Sequence, residues 1–301
     1  MAMTERDPHT GHMTTGHEWN GIKELNTPVP RVVYFFLILT ALFSAAYWLL
    51  MPAWPLGVSY TKGLLGIDQR STVAQKLEQA AADKAVWVEK IRAGSFEDIR
   101  ADAALMRIVR ETGRTLFGDN CAVCHGSGGR GGKGYPNLAA GAWLWGGDPE
   151  TIAETLRVGI NSGHPETRTS QMLAFGRGQM LDRDAILNVT SYVQSLSDPA
   201  FAAGAQAASI AASVAASVAA GREIFAENCA SCHGETGRGS VEVGAPDLTD
   251  AFWIYGGDRE TIYKTVFDGR QGHMPHWEKR LTEVDRKILT LYVLGLGAAS
   301  K

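Results

Sequence analysis

Cysteine is scarce in this chain. There are 4 in 301 residues, and all of them lie in two short runs, Cys121-Ala122-Val123-Cys124-His125 and Cys229-Ala230-Ser231-Cys232-His233. A charge excess is also lacking: 29 basic residues face 32 acidic ones with no basic stripe, which excludes the electrostatic footprint of a nucleic-acid-binding protein. The 8 histidines form no metal constellation beyond the two runs. From Val32 to Met51 charge is missing altogether, and from Phe201 to Ala220 there is no proline and only one glycine.

The cysteine runs carry the chemistry. C-x-x-C-H is the attachment signature of a c-type haem: two thiols three positions apart reach the two vinyl groups, and the adjacent imidazole reaches the iron. Four thiolates and two imidazoles are also a zinc inventory. That reading needs both pairs to converge on one metal, whereas each pair here has its own histidine and its own copy of the flanking sequence. Disulfides within the pairs are the other reading that export chemistry allows. Repetition in one context favours haem, held at Cys121 and Cys124 and at Cys229 and Cys232, with His125 and His233 on the irons. Glycines crowd after the first motif (Gly126, Gly128, Gly129, Gly131), where backbone turns sharply or passes close to a bulky ring.

Residues 1–31 are polar and broken by Pro8, Pro28 and Pro30, and read as a flexible or docked tail. The charge-free run that follows has 20 residues, and at about 1.5 Å each it spans about 30 Å, the hydrocarbon thickness of a bilayer. Tyr47, Trp48 and Trp54 form an interfacial belt at its far end, where Pro52 and Pro55 stop the helix. A cleaved signal peptide has a shorter apolar core and a small-residue cleavage site, so the span, residues 32–54, reads as an uncleaved anchor. Positive charge decides no orientation, since Lys23 and Arg31 on one side balance Lys62 and Arg70 on the other. The haem motifs do, because c-type attachment takes place in the periplasm: the tail is expected in the cytoplasm and everything beyond the span in the periplasm of a bacterial inner membrane. Residues 55–112 mix charge with alanine at helical spacing and read as a solvated periplasmic stalk.

Beyond residue 112 the sequence repeats. Gly113-Arg114-Thr115-Leu116-Phe117 matches Gly221-Arg222-Glu223-Ile224-Phe225, and Pro136-Asn137-Leu138 matches Pro246-Asp247-Leu248. Trp143-Leu144-Trp145-Gly146-Gly147-Asp148 matches Trp253-Ile254-Tyr255-Gly256-Gly257-Asp258. Each copy closes on an amphipathic helix with Tyr192 or Tyr292 in register. Two copies of one small helical domain follow, residues 113–198 and 221–301, joined by an alanine-rich link over 199–220 that leans towards partial helix. Trp143, Trp145, Trp253 and Tyr255 are either haem-propionate contacts or plain core.

Paired C-x-x-C-H domains, each led by a Gly-x-x-x-Phe helix, resemble class I cytochromes c. The run Gly21-Ile22-Lys23-Glu24-Leu25-Asn26, with Pro28, Pro30 and Arg31 just before a single anchor, resembles the N-terminal signature of the dihaem subunit III of cbb3-type cytochrome c oxidases, the FixP/CcoP family. The resemblance implies an all-α chain, one transmembrane helix followed by two class I cytochrome c domains, with two covalent haems c. It implies electron transfer from a donor cytochrome c through both haems to a monohaem c-type subunit and on to the haem-copper centre of a large subunit. No catalytic acid or base is needed for that task. It departs from the family in the length of the alanine-rich link and in Met172-Leu173, where Met-Pro is more usual.

In class I cytochromes a proline carbonyl fixes the axial histidine, and Pro136 and Pro246 match that position. Met172 and Met274 are the expected second axial ligands, within their own copies by default. Met274-Pro275 fixes a loop that can point sulfur at iron, and Ala174-Phe175-Gly176 after Met172 resembles the usual axial loop, which ranks Met172 above its rival Met180. His164, His273 and His276 lie near the methionines and read as exposed loop residues rather than competing ligands. Two other functions stay open: a free-standing membrane-anchored dihaem carrier, and a dihaem peroxidase, against which two well-placed methionines argue.

Overall fold

A computed structural model describes residues 4–198, 201 and 208–298. It divides into two compact units at Asp83 and Lys84.

In the first unit the tail is not wholly irregular. Strands Thr14–Trp19 and Ile22–Leu25 pair antiparallel, with Trp19 opposite Ile22. The connection is Asn20-Gly21, with both residues at positive φ (51° and 86°), the two-residue turn whose twist matches a hairpin. Helix Arg31–Leu50 follows, starting directly after Pro30 and ending before Pro52. None of its side chains is buried, and it is the one helix among the described residues long and apolar enough to cross a membrane.

The second unit is helical and holds both copies. Helix Phe96–Ala101 opens on a capping box, Ser95 and Asp98 satisfying each other's backbone N–H. Asp102 then caps helix Ala103–Asn120, the leading helix of the first copy. Its middle helix is Pro149–Val158, capped by Asp148, and its closing helix is Arg183–Ser197, capped by Asp182. The second copy repeats the order with Ala208–Asn228, Arg259–Asp268 and Glu283–Ala298. Residues 208–220 of the alanine-rich link are thus the first half of a leading helix. It lies along the first closing helix, where Ser217 Oγ donates to Asn188 Oδ1 at 2.7 Å.

Residues from Lys84 to 112 correct the picture of a solvated stalk. Ile91, Phe96, Ile99, Leu105 and Val109 are buried in one cluster with Val284, Ile288 and Leu291 of the second closing helix. Lys287 on that helix donates to the carbonyls of Arg92 (2.7 Å) and Gly94 (3.1 Å). It thereby satisfies acceptors that end helix Gln69–Ala93.

The copies do not close on themselves. The first copy's Phe117, Ile152 and Leu156 pack with Leu281, Leu289 and Val293 of the second. The second copy's Phe225, Ile262 and Val266 pack with Ile186, Val189 and Val193 of the first. Each leading and middle helix is covered by the other copy's closing helix.

Candidate haem-binding sites

Each motif begins where a leading helix ends. Cys121 N–H donates to Phe117 O and Cys229 N–H to Phe225 O, both at 2.8 Å, and one further turn carries Ala122–His125 or Ala230–His233. Positions i, i+3 and i+4 of one turn share a face, so two thiols and an imidazole are presented together. The four thiols are free of disulfides. Burial, with a smaller contribution from the neighbouring thiol, pushes Cys121 and Cys229 up to about 11, which keeps both protonated at neutral pH.

The imidazoles are held in one tautomer. His125 Nδ1 lies 3.1 Å from Pro136 O and His233 Nδ1 3.1 Å from Pro246 O. A carbonyl only accepts, so Nδ1 carries the proton and Nε2 keeps the lone pair that a metal takes. Burial lowers both imidazole pKa values, the carbonyl partly opposing it. Glycine is required beside these loops: Gly131 and Gly239 have φ of 71° and 78°, and a Cβ on either would collide with the loop that carries the proline.

The methionines sit across the copies. Met274 joins the cluster that contains Cys121, Phe117 and Trp143, and Met172 joins the one that contains Cys229, Phe225 and Trp253. Paired backbone bonds fix both loops: Met274 exchanges two with Ile160 (2.9 Å each), and Met172 two with Arg270 (2.8 and 3.0 Å). Each methionine thus packs with the other copy's motif, whereas the default from sequence was ligation within a copy. Met180 is 47% exposed, in neither cluster.

Donors are left over for a large anionic group. Trp145 Nε1 and Arg168 Nε are buried without a partner among the described residues, and the Arg168 guanidinium carbon lies 5.1 Å from the Trp145 ring centre. Two donors without an acceptor suit a haem propionate, a carboxylate. A cavity of about 850 Å³ adjoins both proline loops, lined by Tyr135, Pro136 and Trp143 from the first copy and Ala245, Pro246 and Trp253 from the second. In composition and placement the residues fit two haems. Of the four aromatic candidates, Trp143 and Trp253 are partly buried core. Tyr255 lies under Arg270, whose guanidinium carbon is 4.2 Å from the ring centre.

The loop histidines make other contacts. His164 is buried rather than exposed, with Nε2 3.1 Å from Glu278 Oε2 and Nδ1 accepting from Glu166 N–H. His273 Nδ1 is 2.9 Å from Asn161 O. Sequence reasoning missed Arg168 and the acidic partners of Arg157. The closeness in sequence of Arg157 and Arg168 to Glu154, His164 and Glu166 was the available signal.

Known families resemble the chain along most of its length. Residues 11–58 match a family described as the N-terminal domain of cytochrome oxidase-cbb3, FixP. Residues 110–197 match cytochrome c, and 216–293 match cytochrome c oxidase, cbb3-type, subunit III. A cbb3-type cytochrome c oxidase subunit FixP of Bradyrhizobium sp. (strain ORS 278) is 45% identical over 294 residues, 98% of each chain. A CcoP subunit of Azospirillum sp. (strain B510) is 42% identical over 305 residues, 99% of each chain. One from Cereibacter sphaeroides is 42% identical over 285 residues, 94% of each chain. With two haem-attachment motifs, two cytochrome c domains and this similarity along its length, the chain belongs to the FixP/CcoP family of dihaem cbb3-type cytochrome c oxidase subunits.

Proposed function

We propose that the chain takes electrons from a donor cytochrome c and passes them through two haems towards the monohaem and haem-copper subunits of its oxidase. Its haem domains stand in the periplasm of a bacterial inner membrane, with residues 32–54 as anchor. Cys121 and Cys124 hold one haem, and Cys229 and Cys232 the other. His125 and Met274 ligate the first iron, His233 and Met172 the second. Bound haem c supplies a one-electron iron couple; the protein supplies ligands, burial and orientation. The Pro136 and Pro246 carbonyls hold the imidazoles, and thioether ligation raises each potential relative to a bis-histidine site, which suits electrons bound for oxygen.

The observation that carries this reading is the packing of each methionine with the other copy's attachment motif. Spectroelectrochemistry of single variants tests it. Met274→Leu should remove the near-infrared sulfur-to-iron band and lower the potential of the haem at Cys121 and Cys124, and Met172→Leu should do so at Cys229 and Cys232. The opposite pattern would refute the crossed ligands, and an unchanged band in both would refute methionine ligation.

A further inference from the structure

Two backbone hydrogen bonds align the copies residue by residue. Phe175 N–H donates to Val266 O at 3.1 Å and Trp277 N–H to Leu156 O at 3.0 Å. Each joins the segment after a candidate methionine to the middle helix of the other copy, so Phe175 is the counterpart of Trp277 and Val266 that of Leu156. One residue on, Gly176 is the counterpart of Glu278 and Phe267 that of Arg157. The same contact is therefore made twice with different chemistry. In one, the Phe267 ring fills the space over Gly176, where a Cβ would overlap it. In the other, Arg157 Nη1 donates to Glu278 Oε1 at 3.0 Å. That contact lies inside a cluster where Arg157 also bonds Glu154 and Glu166, and Glu278 meets His164.

The two contacts are not interchangeable. If each closing segment folded back on its own copy, Gly176 would lie opposite Arg157 and Glu278 opposite Phe267. The guanidinium would keep Glu154 and Glu166 but lose Glu278, and that carboxylate would be pressed on a ring that leaves no room for a Cβ. Several other inter-copy contacts do not discriminate. Gly113 against Tyr292 is matched by Gly221 against Tyr192, and Gly129 against Leu296 by Gly237 against Leu196. Arg177 with Asp268 would be replaced by Lys279 with Asp268. We propose that the Gly176–Phe267 and Arg157–Glu278 pairs are specificity determinants that send each methionine and closing helix to the other copy. The proposal deepens the crossed ligand assignment above and rests on it.

The test uses the detergent-solubilised full chain with a specific protease sequence inserted after Gly204. After cleavage, fragments interlocked crosswise elute together in size exclusion, and fragments closed on themselves elute apart. The exchange Gly176→Glu with Glu278→Gly reverses the match. It should cut the ratio of co-eluting to separated fragments about tenfold or more, the factor given by about 1.4 kcal/mol of pairing preference. Adding Arg157→Phe and Phe267→Arg rebuilds both matched pairs in the crossed arrangement and should restore co-elution. Undiminished co-elution of the exchange variant overturns the proposal. If that variant does not fold, recovery of wild-type yield and co-elution in the fourfold variant upholds it, and no recovery overturns it. Covalent haem is read on each fragment separately. A wild-type chain without haem would sink the dihaem reading, whereas fully loaded wild-type fragments that separate would sink the crossing alone.

Discussion

Glu278 shows how much one side chain can carry away from the iron. Its carboxylate accepts from Arg157 and meets His164, and those two hydrogen bonds, Arg157 first, hold its pKa below the usual carboxylate range. Glu154 is lowered chiefly by the same guanidinium. A carboxyl with a depressed folded pKa contributes stability that is present above its unfolded value, near about 4.3, and is lost as pH falls through the folded one. The wild-type chain should therefore lose thermal stability in acid more steeply than Arg157→Gln, and superimposable pH profiles would show the cluster to be inert. Arg168 belongs to the same scale. As a half-buried cation with an unpartnered buried Nε, it would favour the electron-rich state of a haem bound beside it, so Arg168→Gln should lower the potential of one haem in a redox titration while leaving the other in place. Two unmoved potentials would mean that its unpaired Nε serves some other group.

Helices make the sites whole only in pairs. Leu289 is fully buried on the second closing helix, yet its neighbours include Phe117 and the first motif's Cys121. Leu289→Ala should cost about 2–5 kcal/mol in denaturant unfolding. Its spectral effect should fall on the haem at Cys121 and Cys124, although the substitution lies in the other repeat. Ile91→Ala, in the helix Gln69–Ala93, should cost a similar amount, about 2–5 kcal/mol, because Ile91 is fully buried against Ile288 and Leu291. A loss within about 0.5 kcal/mol, the range of ordinary surface substitutions, would restore the view of residues 84–93 as solvated.

For the molecule as a whole, the proposed orientation across the bilayer rests on where haem is attached, since Lys23 and Arg31 balance Lys62 and Arg70 around the span. Protease added to intact spheroplasts should digest both haem domains and leave the hairpin Thr14–Leu25 protected. Protection of the haem domains would reverse the assignment. The charge balance of 29 basic to 32 acidic residues leaves docking of the donor to local charge, so its oxidation rate should fall with ionic strength. A flat rate would exclude electrostatic steering.

What the sequence determined by itself is what short spacing determines. The C-x-x-C-H runs, the matching prolines, the charge-free span and the repeat are all local patterns, and the structure places them as read: His125 and His233 on Pro136 and Pro246, and the span as helix Arg31–Leu50. The Asn20-Gly21 hairpin was also local and legible, and the prolines around it obscured it. Only the tertiary structure decided which methionine lies with which motif. Two similar copies present matching closing helices, Tyr192 and Tyr292 against Gly221 and Gly113, and periodicity along one chain cannot say which of two similar grooves a helix fills. The proposed determinants of that choice pair residues about a hundred positions apart, Arg157 with Glu278 and Gly176 with Phe267. Their complementarity of charge and volume exists only once the chain has brought them face to face.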